Sequence, residues 1–256
     1  MKKMKTILFS LFTLTLFVQC VGQKNFKNTS DNIPSHKIWD ELTKKNVSQD
    51  GHVNYKGFIQ DSLKLNKYLD LISASAPNKK TWSNDEQMAF WINAYNAYTV
   101  QLIIRNYPLK SIKEIGGRVP FINSSWDIKF IQLGGETLDL NNIEHGILRK
   151  EFEEPRVHFA LNCASVSCPK LRNEAYTAEK LEAQLNDQAK AFINNPSKNN
   201  IGDGKNIKIS KLFNWFEGDF KKKSPNIPAF LSQFSKVKVS EDADIDYLDY
   251  NWNLNE

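Results

Sequence analysis

The stretch Ser83-Asn-Asp-Glu86, with the aromatic-rich run that follows it to about Asn106, constrains the fold more than any other part of the chain. Ser83 and Glu86 have the spacing of a capping box, in which the Ser side chain accepts from the backbone and the Glu reaches back to it. Behind this start Met88, Trp91, Ala94/Tyr95, Tyr98 and Leu102 recur at helical spacing, and Pro108 stops the run. The longest helix of the protein is expected here, with an apolar stripe turned inward. Asn93 and Asn96, inside Phe90-Trp-Ile-Asn-Ala-Tyr-Asn-Ala97, stand out in it. Asn is a mediocre helix former, and a buried amide needs partners. The two either cap a neighbouring loop or belong to a site.

The remainder of the chain supports a globular fold. Of 256 residues 41% are apolar and 25% charged, which excludes a disordered chain and a multi-span membrane protein. The net charge of +5 comes from 34 basic and 29 acidic residues, but Lys2, Lys3 and Lys5 stand at the very start; without them the balance is 31 against 29, or +2. No basic stripe argues for nucleic acid. Those lysines precede an apolar run, Thr6 to Val18, too short to span a bilayer and right for a signal peptide over residues 1–22. Cleavage after Gly22 would leave Gln23 first; the alternative is a lipid anchor on Cys20. Either way the mature protein is expected outside the cytoplasm, with no transmembrane span.

Residues 23–35 are polar and read as a disordered lead, followed by a single domain over 36–256 with its core at about 80–220. Ser35 begins a short helix with Ile38, Trp39 and Leu42 on one face, and a second helix carries Leu65, Leu69 and Ile72. Turn and strand signals occupy 116–138, including a hairpin around Gly134-Gly135. Asp139 can cap a helix through Lys150. Arg156-Val-His-Phe-Ala-Leu-Asn162 suits a central strand, Thr177 opens another amphipathic helix, and Val237-Lys-Val239 reads as a last strand. The expected architecture is α+β: one helix-rich domain with a small central sheet.

Polar residues in apolar surroundings mark the candidate chemistry. Glu144-His145 lies mid-helix, where adjacent side chains point ~100° apart, so at most one faces straight into the core. His158 sits on the expected strand. Cys163 and Ser165 lie where that strand gives way to a loop, with Cys168 five residues on; in an oxidising compartment the two cysteines form a short disulfide, a reactive thiol at Cys163, or two inert thiols. Thiol catalysis needs a thiolate, a base and a group to orient the base. On an extended chain His158 would lie roughly 16 Å from Cys163 at ~3.3 Å per residue, so His145 is preferred as base, with Asn93 or Glu144 orienting it. No HExxH, CxxC pair, calcium loop or phosphate loop occurs, and no metal or cofactor is expected.

Three segments, Ala89-Phe-Trp-Ile-Asn-Ala-Tyr-Asn96, Leu140-Asn-Asn-Ile-Glu-His-Gly-Ile-Leu-Arg149 and Pro155-Arg-Val-His-Phe-Ala-Leu-Asn-Cys-Ala-Ser165 with Cys168-Pro169, closely resemble the family called domain of unknown function 547. The resemblance runs from about residue 80 to 195 and more loosely through Phe213-Asn-Trp-Phe-Glu-Gly-Asp-Phe220. It implies a fold related to the papain and transglutaminase group of cysteine hydrolases, with Cys163, His145, Glu144, His158 and Asn93 as the positions concerned. The nucleophile of those enzymes is borne on a helix, whereas Cys163 is expected after a strand. Two functions follow: an exported thiol hydrolase or acyl-transferase acting on an amide bond in a peptide or cell-wall polymer, or a non-catalytic envelope binding module with paired cysteines.

Overall fold

The computed structural model describes residues 25–117 and 124–256. Segment 1–22, expected from the sequence to be a signal peptide, and Cys20 with it, lies outside the described residues. The helix Asn84–Asn106 starts at the capping box, with Ser83 accepting from the Glu86 N–H and the Glu86 carboxylate accepting from the Ser83 N–H. Burial is not confined to a stripe. Every residue from Gln87 to Ile103 is buried, so the helix is a central rod packed on all sides.

Around the rod pack the helices Lys37–Asn46, Tyr55–Gln60 and Ser62–Ser73, and a π-helical segment Asn142–Leu148. Asp139 accepts from the Asn142 N–H at 2.6 Å and so starts that segment. A second core lies beyond it, where Phe159, Phe192, Phe213, Phe220 and Phe230 stack in mutual contact. The amphipathic helix Leu181–Ile193 lines this second core through Ala189, Phe192 and Ile193.

The α+β, helix-rich class holds, but the sheet is not central. Among the described residues the strands form three separate two-stranded ladders: Thr29–Ser30 parallel to Ala76–Pro77, Ile131–Leu133 antiparallel to Glu136–Leu138, and Asn206–Ser210 parallel to Asp244–Leu248. The middle pair is the expected hairpin, turning at Gly134 and Gly135, both at positive φ. Val237-Lys-Val239 is not a strand; the pairing falls a few residues later. From residue 25 the lead expected to be disordered is docked. Asn28 donates to the Gly134 carbonyl, Thr29 pairs with Ala76, and the Phe26 ring meets Trp91 at 5.4 Å. One aromatic and a row of backbone donors suffice to hold a polar segment down.

The largest correction concerns 157–160, which is a single helical turn, Val157–Ala160, and not a strand. Pro155 leads into it, and Leu161 returns the chain to extended backbone. The turn sets Phe159 into the second core and His158 toward a cleft between the two cores. The extended-chain distance that counted against His158 therefore does not apply.

A titratable contact lies away from this cleft. His36 Nδ1 is 2.7 Å from the Tyr68 hydroxyl, and burial pushes its imidazole down from 6.5 to about 4. A histidine whose folded pKa is depressed stabilises the fold fully above its unfolded pKa, near 6.5, and loses that contribution as pH falls. Between pH 6.5 and 4 the protein should lose up to about 3 kcal/mol from this group. His36→Gln keeps a polar partner for Tyr68 and should flatten the fall; an unchanged slope of melting temperature against pH would refute the assignment.

Candidate functional site

Two asparagines on one face of the central rod position the loops that build the site. The Asn93 amide donates to the Tyr176 carbonyl at 2.8 Å and accepts from the Tyr176 N–H at 2.9 Å. Three residues on, Asn96 donates to the Ala160 carbonyl and accepts from the Asn162 N–H, both at 2.9 Å. Each amide thus satisfies one buried backbone donor and one acceptor that helix and sheet leave over. Asn93 is consumed in this way and does not border the cleft; it orients a loop, not a histidine.

The segment held by Asn96 carries the thiols. Asn162 Oδ1 accepts from the Ala164 N–H at 3.0 Å and its Nδ2 donates to the Pro169 carbonyl at 2.8 Å, bracketing a tight turn. Ala164, at φ 58°, is the one non-glycine residue at positive φ among the described residues, a conformation costing about 1 kcal/mol. The cysteines are free: Cys163 is partly exposed, Cys168 buried, and their sulfurs are 2.8 Å apart. Cys168 Sγ also accepts from the Cys163 N–H at 2.9 Å. Cys163 Sγ lies 3.3 Å from Ser165 Oγ and 3.4 Å from the Tyr250 hydroxyl. The hydrogen bond shared with Cys168 does most to lower the Cys163 pKa; Ser165 and Tyr250 add to it and outweigh burial and the nearby Glu144 charge. Burial pushes Cys168 the other way. Of the two, Cys163 ionises first.

Glu144 and His145 project from the π-helical segment, whose wider Arg149 N–H to Glu144 carbonyl bond replaces the α-helical pattern. The Glu144 side chain is 12% exposed and that of His145 35%, one inward and one on the flank, as their adjacency requires. Glu144 Oε2 accepts from the Tyr95 hydroxyl of the central rod at 3.1 Å. Arg149 Nη1 is 2.8 Å from His145 Nδ1. A guanidinium can only donate, so Nδ1 is the acceptor and the ring proton resides on Nε2.

His158 has the opposite arrangement. Its Nε2 is 2.9 Å from Asp219 Oδ2, and its ring stacks on Phe216 with centroids 3.9 Å apart. Asp219 also accepts from Arg149 Nε at 2.5 Å. Burial alone would raise the Asp219 carboxyl; hydrogen bonds and charge from His158 and Arg149 win and hold it well below the carboxylate range. Burial likewise lowers His158 despite Asp219. The pair is therefore a carboxylate accepting from a neutral imidazole through Nε2–H, which leaves Nδ1 as the basic nitrogen.

Cys163, Cys168, Glu144, His145 and His158 share one cleft of about 250 Å³. Its outer wall is aromatic: Tyr250 and Trp252 approach to 4.5 Å, Trp215 to 4.8 Å from Tyr250, and Trp126 to 5.7 Å from Trp252. Among the described residues no histidine nitrogen is within hydrogen-bonding reach of Cys163 Sγ, and no three His, Cys, Asp or Glu side chains are grouped to hold a metal ion. No helix of the described residues is long and apolar enough to cross a membrane.

The family model described as "Protein of unknown function, DUF547" matches residues 79–193. Over that segment, 115 of the chain's 256 residues, the sequence is similar to the DUF547 family. No curated protein and no solved structure matches it. The DUF547 segment contains the central rod, both thiols, Glu144 and both cleft histidines. Phe216, Tyr250 and Trp252, which line the cleft, and Asp219, which holds His158, lie beyond that segment in sequence. Sequence reasoning passed over Arg149, Asp219 and Tyr250 as site residues. For Asp219 a signal existed: an acid between Trp215, Phe216 and Phe220 needs a buried cation or imidazole beside it.

Proposed function

We propose that this cleft is the active site of an exported thiol-dependent hydrolase or acyl-transferase acting on an amide bond of a peptide or cell-wall substrate. The observation that carries the reading is the setting of Cys163: partly exposed, in a strained turn, hydrogen-bonded by hydroxyl groups that favour the thiolate, in one cleft with two histidines of complementary protonation. The thiolate attacks the carbonyl carbon, the amine leaves with a proton, and water or an acceptor amine resolves the thioester. The N–H groups of Cys163 and Ala164 already serve Cys168 and Asn162. Stabilisation of the oxyanion therefore falls to side chains: the Tyr250 hydroxyl, which burial keeps protonated, and His145 Nε2–H. His158 holds its Nε2–H on Asp219 and so presents Nδ1 as the acceptor, whereas His145 Nδ1 already accepts from Arg149; His145 is therefore assigned the donor's part and not that of the base chosen from sequence spacing. The transfer runs through substrate or one water in the cleft.

On this reading the fold is related to the papain and transglutaminase hydrolases, and the mature chain works outside the cytoplasm, released after Gly22 or anchored through Cys20. The aromatic wall favours a second reading, a non-catalytic envelope binding module, because Trp215 is 46% exposed beside Tyr250 and Trp252. Kinetics separate them. Iodoacetamide should alkylate Cys163 with an inflection below the ~8.5 of a free thiol, and Tyr250→Phe should slow the reaction severalfold at pH 7. Turnover of p-nitrophenyl acetate should vanish in Cys163→Ser and fall at least tenfold in His158→Ala that remains folded. An ordinary thiol pKa with no turnover would leave the binding module as the account.

A further inference from the structure

The hydrolase reading uses one thiol as nucleophile and gives Cys168 no bond-making step of its own. Cys168 is buried, five residues from Cys163 in the same loop, with its sulfur 2.8 Å from the nucleophile. We propose that Cys163 and Cys168 act as attacking and resolving thiols in exchange with a peptide disulfide that enters the cleft. The proposal shares the accessible Cys163 with the acyl-transfer reading and is independent of its acyl chemistry.

Burial assigns the roles. Both cysteines border the cleft, but Cys163 is partly exposed and Cys168 is buried, so a disulfide RS–SR′ arriving there meets the Cys163 sulfur first. The Cys163 thiolate attacks one sulfur, an S–S bond to R forms, the RS–SR′ bond breaks, and R′S⁻ leaves to take a proton from water. Cys168 then releases its proton to solvent, and its thiolate attacks Cys163 Sγ. The mixed disulfide breaks, RS⁻ leaves, and the chain retains a Cys163–Cys168 disulfide. Two electrons have passed from the dithiol to the substrate disulfide, with no further reactant needed.

The surroundings favour both steps. Ser165 and Tyr250 hydroxyls donate to Cys163 as attacking group and again as leaving group, and the Cys163 N–H supports negative charge on Cys168. The loop keeps its shape without an S–S bond, since Asn162 brackets it and Val166 and Ser167 N–H groups donate to the Asn253 and Asn251 carbonyls. The resolving sulfur is thus in place before the substrate binds.

The test uses the reduced full-length chain carrying Cys20→Ser, with 5,5′-dithiobis(2-nitrobenzoate) as the probe. The protein with both thiols should release two equivalents of thiolate and end two hydrogens lighter, with no adduct. Cys168→Ser should release one equivalent and keep a stable mixed disulfide on Cys163; Cys168→Ala gives the same if the serine disturbs packing. Cys163→Ser should react at least tenfold more slowly. Oxidised glutathione should bring the two-thiol protein to the same adduct-free end state. Two stable adducts on the two-thiol protein, or full speed in Cys163→Ser, would overturn the proposal. Failure of p-nitrophenyl acetate turnover beside these results would remove the acyl reading alone.

Discussion

Asp219→Ala should lower stability by about 3 kcal/mol, a drop in melting temperature of roughly 6–12 °C for a chain of this size. Among the described residues Asp219 is the only carboxylate within ion-pairing distance of either His158 Nε2 or Arg149 Nε, and its side chain is 13% exposed. Removing it leaves a buried imidazole N–H and a half-buried guanidinium facing each other. Asp219→Asn keeps an acceptor and should cost less than half as much. The effect must also depend on pH. A carboxyl depressed in the fold stabilises above its unfolded pKa near 3.9, and that contribution disappears as pH falls. The gap between wild type and Asp219→Ala should therefore be full at pH 7 and narrow below pH 4. A gap independent of pH would mean that the side chain serves packing and not charge.

Asn96→Ala should be comparably damaging, by about 2–5 kcal/mol, because it orphans the Ala160 carbonyl and the Asn162 N–H in a dry interior. Its informative partner is Asn93→Ala, which does the same to Tyr176. The stability losses should match, but the consequences for the thiol should not. Asn96 fixes the residue immediately before Cys163, whereas Tyr176 lies away from the cleft. Alkylation of Cys163 in the folded state should change several-fold in Asn96→Ala and stay at the wild-type rate in Asn93→Ala. Equal rates in both variants would show that the turn around Asn162 holds itself.

How much of this was readable in the residues depends on how far each signal reaches. The start of the central helix is local, a hydroxyl and a carboxylate three residues apart, and it emerged intact. That the rod is buried all round is not local: Gln87, Thr99 and Gln101 look like a solvated face, and only packing from four directions reveals otherwise. Asn93 and Asn96 were recognisable as residues needing partners, but the partners lie 83 and 64 positions away. Val157–Ala160 was misread because a short apolar run has no periodicity that separates one buried helical turn from a strand. Pro155, at the head of that turn, was the overlooked clue. Cys163 and both histidines were identified by residue type alone. Their division into donor and acceptor rests on Arg149 and Asp219, which chemistry can explain once seen but spacing cannot find.

The last residues described bear on how firmly the thiols are held. Besides the Asn251 and Asn253 carbonyls, the tail offers an N–H from Asn251 to Ser167 Oγ, pairs Leu254 with Ser165, and is fastened in turn by the Leu254 N–H on the Lys110 carbonyl and the Val53 N–H on the Asn255 carbonyl. These bonds join three distant parts of the chain into one hinge-free clasp. Amide exchange at Val166, Ser167 and Leu254 should then proceed with a single opening free energy, because none can reach solvent by itself. Whatever lifts the tail, a protease or a competing strand, would unlock the turn that carries Cys163 and leave the central rod untouched.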